Sequence, residues 1–248
     1  MLNLPRDRKL AMITVYDHPT ACAFDTCAFD FFLVGDSGGM VELGLKDTKT
    51  VTMDMMLGLV AAVKRGTSRT HIIADMPIRT YDTPPDALAN AMRFLEAGAD
   101  SVKVEGPCLE VIRYLHTNRI EVLGHTGLTP QTATSLKMKG TTPEDAARLK
   151  REAADIAAAG CYALILEHMP ARLAQDITRN LSIPTIGIGA GPHTGGQVIV
   201  SSDLLGLSEK VPPFAKKYAD LRYEMIRAGR QYITEVRDGS FPSPGYYK

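Results

Sequence analysis

Short apolar runs alternate along the chain with longer segments in which apolar and polar residues recur at helical spacing. Each apolar run ends in a polar or glycine-rich turn, which is the pattern of a buried strand followed by a loop. The predicted strands span residues 10–15, 31–35, 71–74, 101–104, 120–123, 162–166, 184–188 and 198–200. Helices are predicted between them, one from Thr142 to Gly160 and a terminal one over residues 215–238.

Eight strands alternating with helices predict an α/β protein built as one (β/α)8 TIM barrel, for which 248 residues is an ordinary length. A doubly wound open sheet is the alternative. The number of strands and the polar residues at almost every strand end favour the barrel. No linker or change of composition divides the chain, so a single domain is predicted over residues 1–248, with a C-terminal helix and a short, loosely held tail.

The charge balance narrows the range of partners. Twenty-eight basic residues offset 28 acidic ones, which argues against nucleic acid or an anionic membrane as a partner. No apolar run reaches membrane-spanning length, and the first residues lack the apolar core of a signal peptide. The four cysteines have no C-x-x-C spacing, which is typical of reduced thiols in a cytoplasmic protein.

Acidic residues follow the second, third and fourth predicted strands. They are Asp36, within the turn Gly35-Asp-Ser-Gly-Gly39, Asp75 and Glu105. Because the carboxyl ends of parallel strands meet at one rim of a barrel, we expect these acids to share a site. Each alone could simply cap the next helix, but three together favour Mg²⁺ or a similar divalent ion, which prefers oxygen ligands.

Other candidate residues for catalysis lie on the fourth, fifth and sixth strands. Lys103 precedes Glu105 by two positions, so strand alternation places both side chains on the same face. It is expected to neutralise the acids, to stabilise an anionic substrate or a developing enolate, or to do both, since the two roles are compatible. His125 and Glu167 are candidates for proton transfer. A histidine at a strand end is as often structural, and Glu167 could instead pair with a cation.

Several segments carry a family resemblance when they are taken in order. They are Val34-Gly-Asp-Ser-Gly-Gly-Met40, Ala74-Asp-Met-Pro77, Val102-Lys-Val-Glu-Gly106, Gly124-His-Thr-Gly-Leu-Thr-Pro-Gln131, Leu166-Glu167, and Ile186-Gly-Ile-Gly-Ala-Gly191 with Gly196-Gln197. This set resembles the ketopantoate hydroxymethyltransferase family, from about residue 9 to residue 238. The resemblance implies a barrel of the phosphoenolpyruvate mutase/isocitrate lyase type, a Mg²⁺ requirement and a homo-oligomer, commonly a decamer.

The resemblance also implies a reaction and roles for most of the candidate residues. The implied metal ligands are Asp36, Asp75 and Glu105. The 2-oxo acid would lie among Asp36, Ser37, Asp75 and Lys103, while Glu167 would be the acid/base. The implied reaction transfers a hydroxymethyl group from 5,10-methylenetetrahydrofolate to 3-methyl-2-oxobutanoate through a metal-stabilised enolate. Its product, 2-dehydropantoate, leads to pantothenate.

The chain departs from the family pattern in its loops. Lys46-Asp-Thr-Lys-Thr-Val-Thr52 replaces a common Asp-Ser-Thr-Leu-Pro-Val-Thr, and residues 134–140 replace a longer glycine-rich loop. Gly58-Leu59, Gly195 and residues 201–203 also differ from it. A different 2-oxo acid or one-carbon donor, a related carbon–carbon lyase, or an inactive binding or assembly barrel therefore stay as alternatives. The lyases' cysteine-bearing loop is not evident, and retention of the acids with Lys103 and Glu167 counts against an inactive barrel.

Overall fold

The structure is a computed structural model that describes residue 2, residues 4–5 and residues 7–247. Within these residues, eight parallel strands, β1 to β8, close into a barrel in sequence order. They span Leu10–Thr14, Phe31–Val34, His71–Asp75, Ser101–Lys103, Val122–Gly127, Ala163–Glu167, Thr185–Ile188 and Gly196–Ile199. β8 pairs with β1 and so closes the barrel. The predicted (β/α)8 barrel is confirmed, and the open sheet is excluded.

Helices connect the strands. In the described residues, α1 to α9 span His18–Phe24, Gly38–Val41, Met53–Gly66, Pro84–Glu96, Leu109–Thr117, Pro143–Ala159, Ala171–Asn180, Ser201–Leu205 and Leu221–Asp238. The starts of α4 and α6 share one chemistry, because Thr83 and Thr142 accept a hydrogen bond from the backbone three residues on and a proline follows each threonine. No helix of the described chain is long and apolar enough to cross a membrane.

Gly160 ends α6, as the sequence predicts, and two independent constraints require glycine there. Its φ of 116° lies in the left-handed region, which L side chains rarely adopt. A Cβ at this position would also lie 2.6 Å from Cγ of His116, on the adjacent helix α5. The glycine therefore lets α6 end against α5 without a clash.

The barrel interior separates into an apolar cluster and a polar rim. The cluster is made of buried side chains from most of the strands, namely Leu10, Met12, Phe31, Leu33, Ile73, Leu123, Tyr162, Ala163, Ile165, Ile186 and Val198. The rim, at the carboxyl ends of the strands, carries buried Asp36, Asp75, Lys103, Glu105 and His125. The candidate site therefore lies at the end of the barrel where enzymes of this fold place their active sites.

Two compact units are distinguished by their internal contacts, Met1–Val200, which holds the barrel, and Ser201–Lys248. The second unit contains α8 and α9, and no residue of α9 is buried. After α9, Phe241 packs its ring 5.5 Å from that of Tyr232. The single-domain organisation predicted from the sequence stays a prediction.

Two predicted element boundaries are wrong by four residues or more. The fifth strand runs over Val122–Gly127 instead of residues 120–123, because His125 and Thr126 pair with β6 as strand residues. Their polar character made this stretch look like a loop. The terminal helix begins at Leu221 instead of residue 215. The side chain of Asp220, just before this start, accepts a hydrogen bond from the backbone of Tyr223 and so caps the helix.

Paired glycine substitutions test the helix packing. We expect Gly160→Ala to lower the free energy of unfolding by at least about 1–2 kcal/mol, because alanine is strained in the left-handed region. Gly58→Ala is the control, since Gly58 lies inside α3 with open space around it. It should raise stability by about 0.5–1 kcal/mol. Urea unfolding measures both, and equal effects would contradict this packing.

Candidate active site

Lys103 lies at the centre of the candidate site. Its side chain is almost fully buried at the end of β4, and its Nζ donates to both carboxylate oxygens of Asp75 at 2.8 Å. Burial acts to lower the pKa of Lys103, but the charges of Asp75, Glu105 and Asp36 outweigh it and raise the pKa above its ordinary value. Lys103 is therefore a buried cation held by an ion pair with Asp75.

Glu105 lies on the other side of Lys103, as strand alternation predicts. Its Oε2 is 4.0 Å from Nζ of Lys103, and its Oε1 accepts a hydrogen bond of 2.8 Å from the backbone N–H of Gln131. Burial acts to raise the pKa of Glu105, but His125, Lys103 and the Gln131 hydrogen bond together lower it below its ordinary value. Glu105 is thus held as a carboxylate inside the barrel rim.

His125 connects Glu105 to Glu167. Its Nδ1 lies 3.4 Å from Oε2 of Glu105 and its Nε2 lies 3.2 Å from Oε2 of Glu167. Both contacts are close, but neither has the alignment of a hydrogen bond. Burial and the charge of Lys103 act to lower the pKa of His125, yet the two carboxylates outweigh them and raise it to about 9. His125, which lies between the two acids, is therefore protonated at neutral pH.

Glu167 is the most accessible acid of this group. Its side chain is 19% exposed, whereas that of Glu105 is 3% exposed. It ends β6, where it pairs in register with Gly127 of β5. Gly127 has a φ of 103°, and a Cβ there would lie 2.3 Å from the backbone oxygen of Glu167. Glycine is needed at this point because the two strands bring Glu167 directly against it.

Asp36 lies on the opposite side of the group. Its backbone N–H donates to Oδ2 of Asp75 at 3.3 Å, and its Oδ2 accepts a 2.9 Å hydrogen bond from Nε2 of Gln131. Burial and the negative charge of Asp75 raise the pKa of Asp36 to about 8. The preceding Gly35 leaves room for the turn, since a Cβ there would lie 2.7 Å from Oγ of Ser37.

Gln131 is a site residue to which the sequence analysis assigned no role. It is 1% exposed, and through its backbone and amide it bonds both Glu105 and Asp36. Its amide also donates to the backbone oxygen of Met76, and its Oε1 accepts a hydrogen bond from the hydroxyl of Tyr81. The available signal was its place at the end of the segment Gly124–Gln131, just after β5.

The structure brings together most of the predicted site residues. Asp36, Asp75, Lys103, Glu105, His125 and Glu167 form one continuous chain of contacts. Ser37 follows Asp36 but is only partly buried, and its hydroxyl bonds that of Tyr16 at 2.8 Å. The acids of the group outnumber its cations, Lys103 and His125.

The predicted metal ligands have the oxygen atoms that a divalent ion prefers, but they are not arranged to coordinate an ion. Carboxylate oxygens suit Mg²⁺, and their surplus of negative charge would be offset by a divalent ion. Among the described residues, however, no group of three or more His, Cys, Asp or Glu side chains is placed to hold a metal. Lys103 lies between Asp75 and Glu105 and contacts both. Metal binding by Asp36, Asp75 and Glu105 stays a prediction.

Solved structures with the same fold define its class. The chain superposes on phosphoenolpyruvate phosphomutase from Streptomyces platensis subsp. rosaceus with a TM-score of 0.63 and 14% identity, covering 93% of this chain and 84% of that one. It superposes on 2,3-dimethylmalate lyase, a member of the phosphoenolpyruvate mutase/isocitrate lyase superfamily, with a TM-score of 0.61 and 16% identity, covering 96% and 86%. The fold is a barrel of that superfamily's type.

Sequence relatives narrow the class to one family. The sequence model of the ketopantoate hydroxymethyltransferase family matches residues 3–244 of this chain. A 3-methyl-2-oxobutanoate hydroxymethyltransferase of Caldivirga maquilingensis is 47% identical over 97% of this chain and 93% of its own length. Another, of Staphylothermus marinus, is 42% identical over 100% and 93%. The chain belongs to the ketopantoate hydroxymethyltransferase family, and it is a one-carbon transferase.

The protonation of His125 should appear in the stability of the metal-free protein. Its pKa of about 9 exceeds the ordinary 6.5 of an unfolded chain. The stabilisation is therefore complete below about pH 6.5 and is lost as the pH rises through about 9. Between about pH 6 and about pH 10, the wild type should lose about 3 kcal/mol more of its unfolding free energy than His125→Asn. Urea unfolding at both pH values measures this, and equal losses would contradict it.

Proposed function

We propose that the chain transfers a hydroxymethyl group from 5,10-methylenetetrahydrofolate to 3-methyl-2-oxobutanoate, giving 2-dehydropantoate for pantothenate synthesis. The observation that carries this proposal is the contact between His125 and Glu167 beside the buried cation Lys103. It places an accessible carboxylate near a positive charge, as proton removal next to a 2-oxo group requires. The names of the relatives supply the substrate.

The 2-oxo acid would bind among Asp36, Ser37, Asp75 and Lys103. Lys103 would face the 2-oxo oxygen, on which negative charge develops when the C3 proton leaves. Since Lys103 is already desolvated and held by Asp75, its charge acts in a medium of low dielectric without reorganisation. Ser37, which follows Asp36 on the same turn, is only partly buried, and its hydroxyl would donate to the bound acid.

Mg²⁺ or a similar divalent ion is the proposed cofactor, with Asp36, Asp75 and Glu105 as its protein partners. When bound, such an ion supplies Lewis-acid polarisation of the 2-oxo group. The surplus of acids over cations supports it, as does the raised pKa of Asp36, because a dication would relieve the repulsion between Asp36 and Asp75. Water and substrate would complete the shell.

Glu167 is the proposed acid/base. It would take the proton from C3, and the resulting carbanion would form a bond to the methylene carbon of the folate. As the carbon–nitrogen bonds of that methylene break, water supplies the hydroxyl oxygen. The C3 proton and the proton from water then pass to the folate nitrogens. His125 orients Glu167 through its Nε2, and Glu105 holds His125 from the other side.

The proposal extends to the assembly and the cellular location. We propose a homo-oligomer, a decamer by family resemblance, that works in the cytoplasm. The exposed apolar side chains of α9, which include Met225, Ile226 and Ile233, support self-association. The four free cysteines fit a reducing compartment. Sedimentation velocity of the purified chain checks the assembly, and a monomer at micromolar concentration would contradict it.

Deuterium exchange tests the enolising half of the reaction. In D2O with Mg²⁺ and no folate, NMR should show exchange at C3 of 3-methyl-2-oxobutanoate. We expect Glu167→Gln to slow it by about 100-fold or more, because the base is lost while the partly exposed site stays folded. Asp75→Ala and Glu105→Ala should abolish it, and chelation of the metal should do the same.

Asp82→Asn is the control, since Asp82 is an exposed acid of the same rim outside the contact chain. Exchange with a different 2-oxo acid, and none with 3-methyl-2-oxobutanoate, would indicate that this chain acts on that other acid. A folded protein that exchanges no 2-oxo acid would refute the proposed reaction.

A further inference from the structure

Two exposed cations connect three loops at the carboxyl end of the barrel. Nζ of Lys49, in the loop after β2, donates to the backbone oxygen of Ala133, in the loop after β5, at 3.2 Å. Nη2 of Arg79, in the loop after β3, donates to the backbone oxygen of Lys49 at 2.9 Å. Arg79 therefore contacts the backbone of the residue whose own side chain contacts Ala133, and all three residues lie on loops that follow strands of the candidate site.

Neither cation is neutralised by an acid. Among the described residues, the polar partners of the Lys49 and Arg79 side chains are backbone oxygens, and neither side chain forms an ion pair with a carboxylate. Both residues are exposed to solvent. A guanidinium that donates one N–H to a carbonyl has further N–H groups that can donate to a ligand. An ammonium group that donates one N–H likewise has two more. At the carboxyl end of the barrel, Lys49 and Arg79 therefore present positive charge that no carboxylate of the described residues neutralises.

The two cations are anchored to the candidate site through Gln131. Arg79 lies between Met76, whose backbone oxygen accepts from Gln131, and Tyr81, whose hydroxyl donates to it. Lys49 reaches Ala133, two residues after Gln131. Since Gln131 also bonds Asp36 and Glu105, the same residue fixes the acids and the loops that carry the cations.

Arg79 is held in a strained conformation. Its φ is 69°, in the left-handed region that a side chain larger than that of asparagine seldom adopts. Such strain persists where the surrounding structure over-determines it, and it is concentrated at binding and catalytic sites. Here the turn brings the guanidinium within hydrogen-bond distance of the backbone oxygen of Lys49.

We propose that Lys49 and Arg79 form a clamp for a carboxylate, and that its ligand is the carboxylate-bearing tail of the one-carbon donor. This inference rests on the proposed function, in which that donor is a folate. The small 2-oxo acid already has Lys103 as its buried cation. A folate is far longer, so its reacting end can enter the rim while its glutamate tail lies outside. The positive charges of Arg79 and Lys49 would attract a carboxylate there.

Neutral variants that keep a hydrogen-bond donor isolate the charge. Lys49→Gln and Arg79→Gln retain an amide N–H for the backbone carbonyls but remove the cation. We expect each to raise the KM for 5,10-methylenetetrahydrofolate by about three- to tenfold, with kcat unchanged within about twofold. The penalty should be larger for the polyglutamylated donor and absent for a methylene-tetrahydropterin without a tail. Raising the salt from about 0.05 M to about 0.5 M should weaken the wild type more than the double variant.

Two further variants separate charge from structure. Arg79→Lys should recover most of the donor affinity, because it restores the cation. Arg65→Gln is the matched control, since Arg65 is an exposed cation near the end of α3, at the opposite end of the barrel. An Arg79→Lys variant as weak as Arg79→Gln would show a structural role and overturn the clamp.

Other outcomes would overturn the proposal in distinguishable ways. An unchanged KM for the donor, or a rise in the KM for the 2-oxo acid instead, would remove the clamp while the wild type still exchanges deuterium at C3. A wild-type protein without that exchange would refute the proposed function, and the clamp would fall with it.

Discussion

The candidate site depends on one buried ammonium group. Lys103 is surrounded by Asp75, Glu105 and Asp36, and each of these acids is buried with it. Removing the cation would leave buried carboxylates without compensation, at a cost of about 3–5 kcal/mol for a broken buried pair. Equally, the acids are needed to keep Lys103 charged inside the barrel. This mutual dependence fixes the charge of the site before any substrate binds.

A second set of contacts holds the charged side chains of the site in position. Gln131 bonds the acids on both sides of Lys103, and Tyr81 bonds Gln131 in turn. On the far side, His125 joins Glu105 to the more accessible Glu167. A catalytic carboxylate is useful only if it is held in position, and the contact with His125 holds Glu167 while its side chain stays 19% exposed. The loops that carry Lys49 and Arg79 attach to the same framework.

The sequence predicted those features that follow from strand periodicity. The barrel, the gathering of Asp36, Asp75 and Glu105 at one rim, and the shared face of Lys103 and Glu105 all follow from parallel strands with alternating side chains. Gly160 was recognisable as a helix end from its position alone.

Other features could not be predicted because they depend on contacts between distant segments. Gln131 meets Asp36 from a position 95 residues away, and no local pattern marks that contact. His125 was placed at a strand end because a polar residue inside an apolar strand is unusual, whereas the barrel rim accommodates it between two acids. The strained turn at Arg79 has no glycine or asparagine to signal it.

A crystal structure with 3-methyl-2-oxobutanoate and Mg²⁺ bound would test the central claim most directly. We expect the 2-oxo oxygen to lie on the side of Lys103 and C3 to face the carboxylate of Glu167. Ordered binding of the acid elsewhere on the barrel, or with C3 turned away from Glu167, would contradict it.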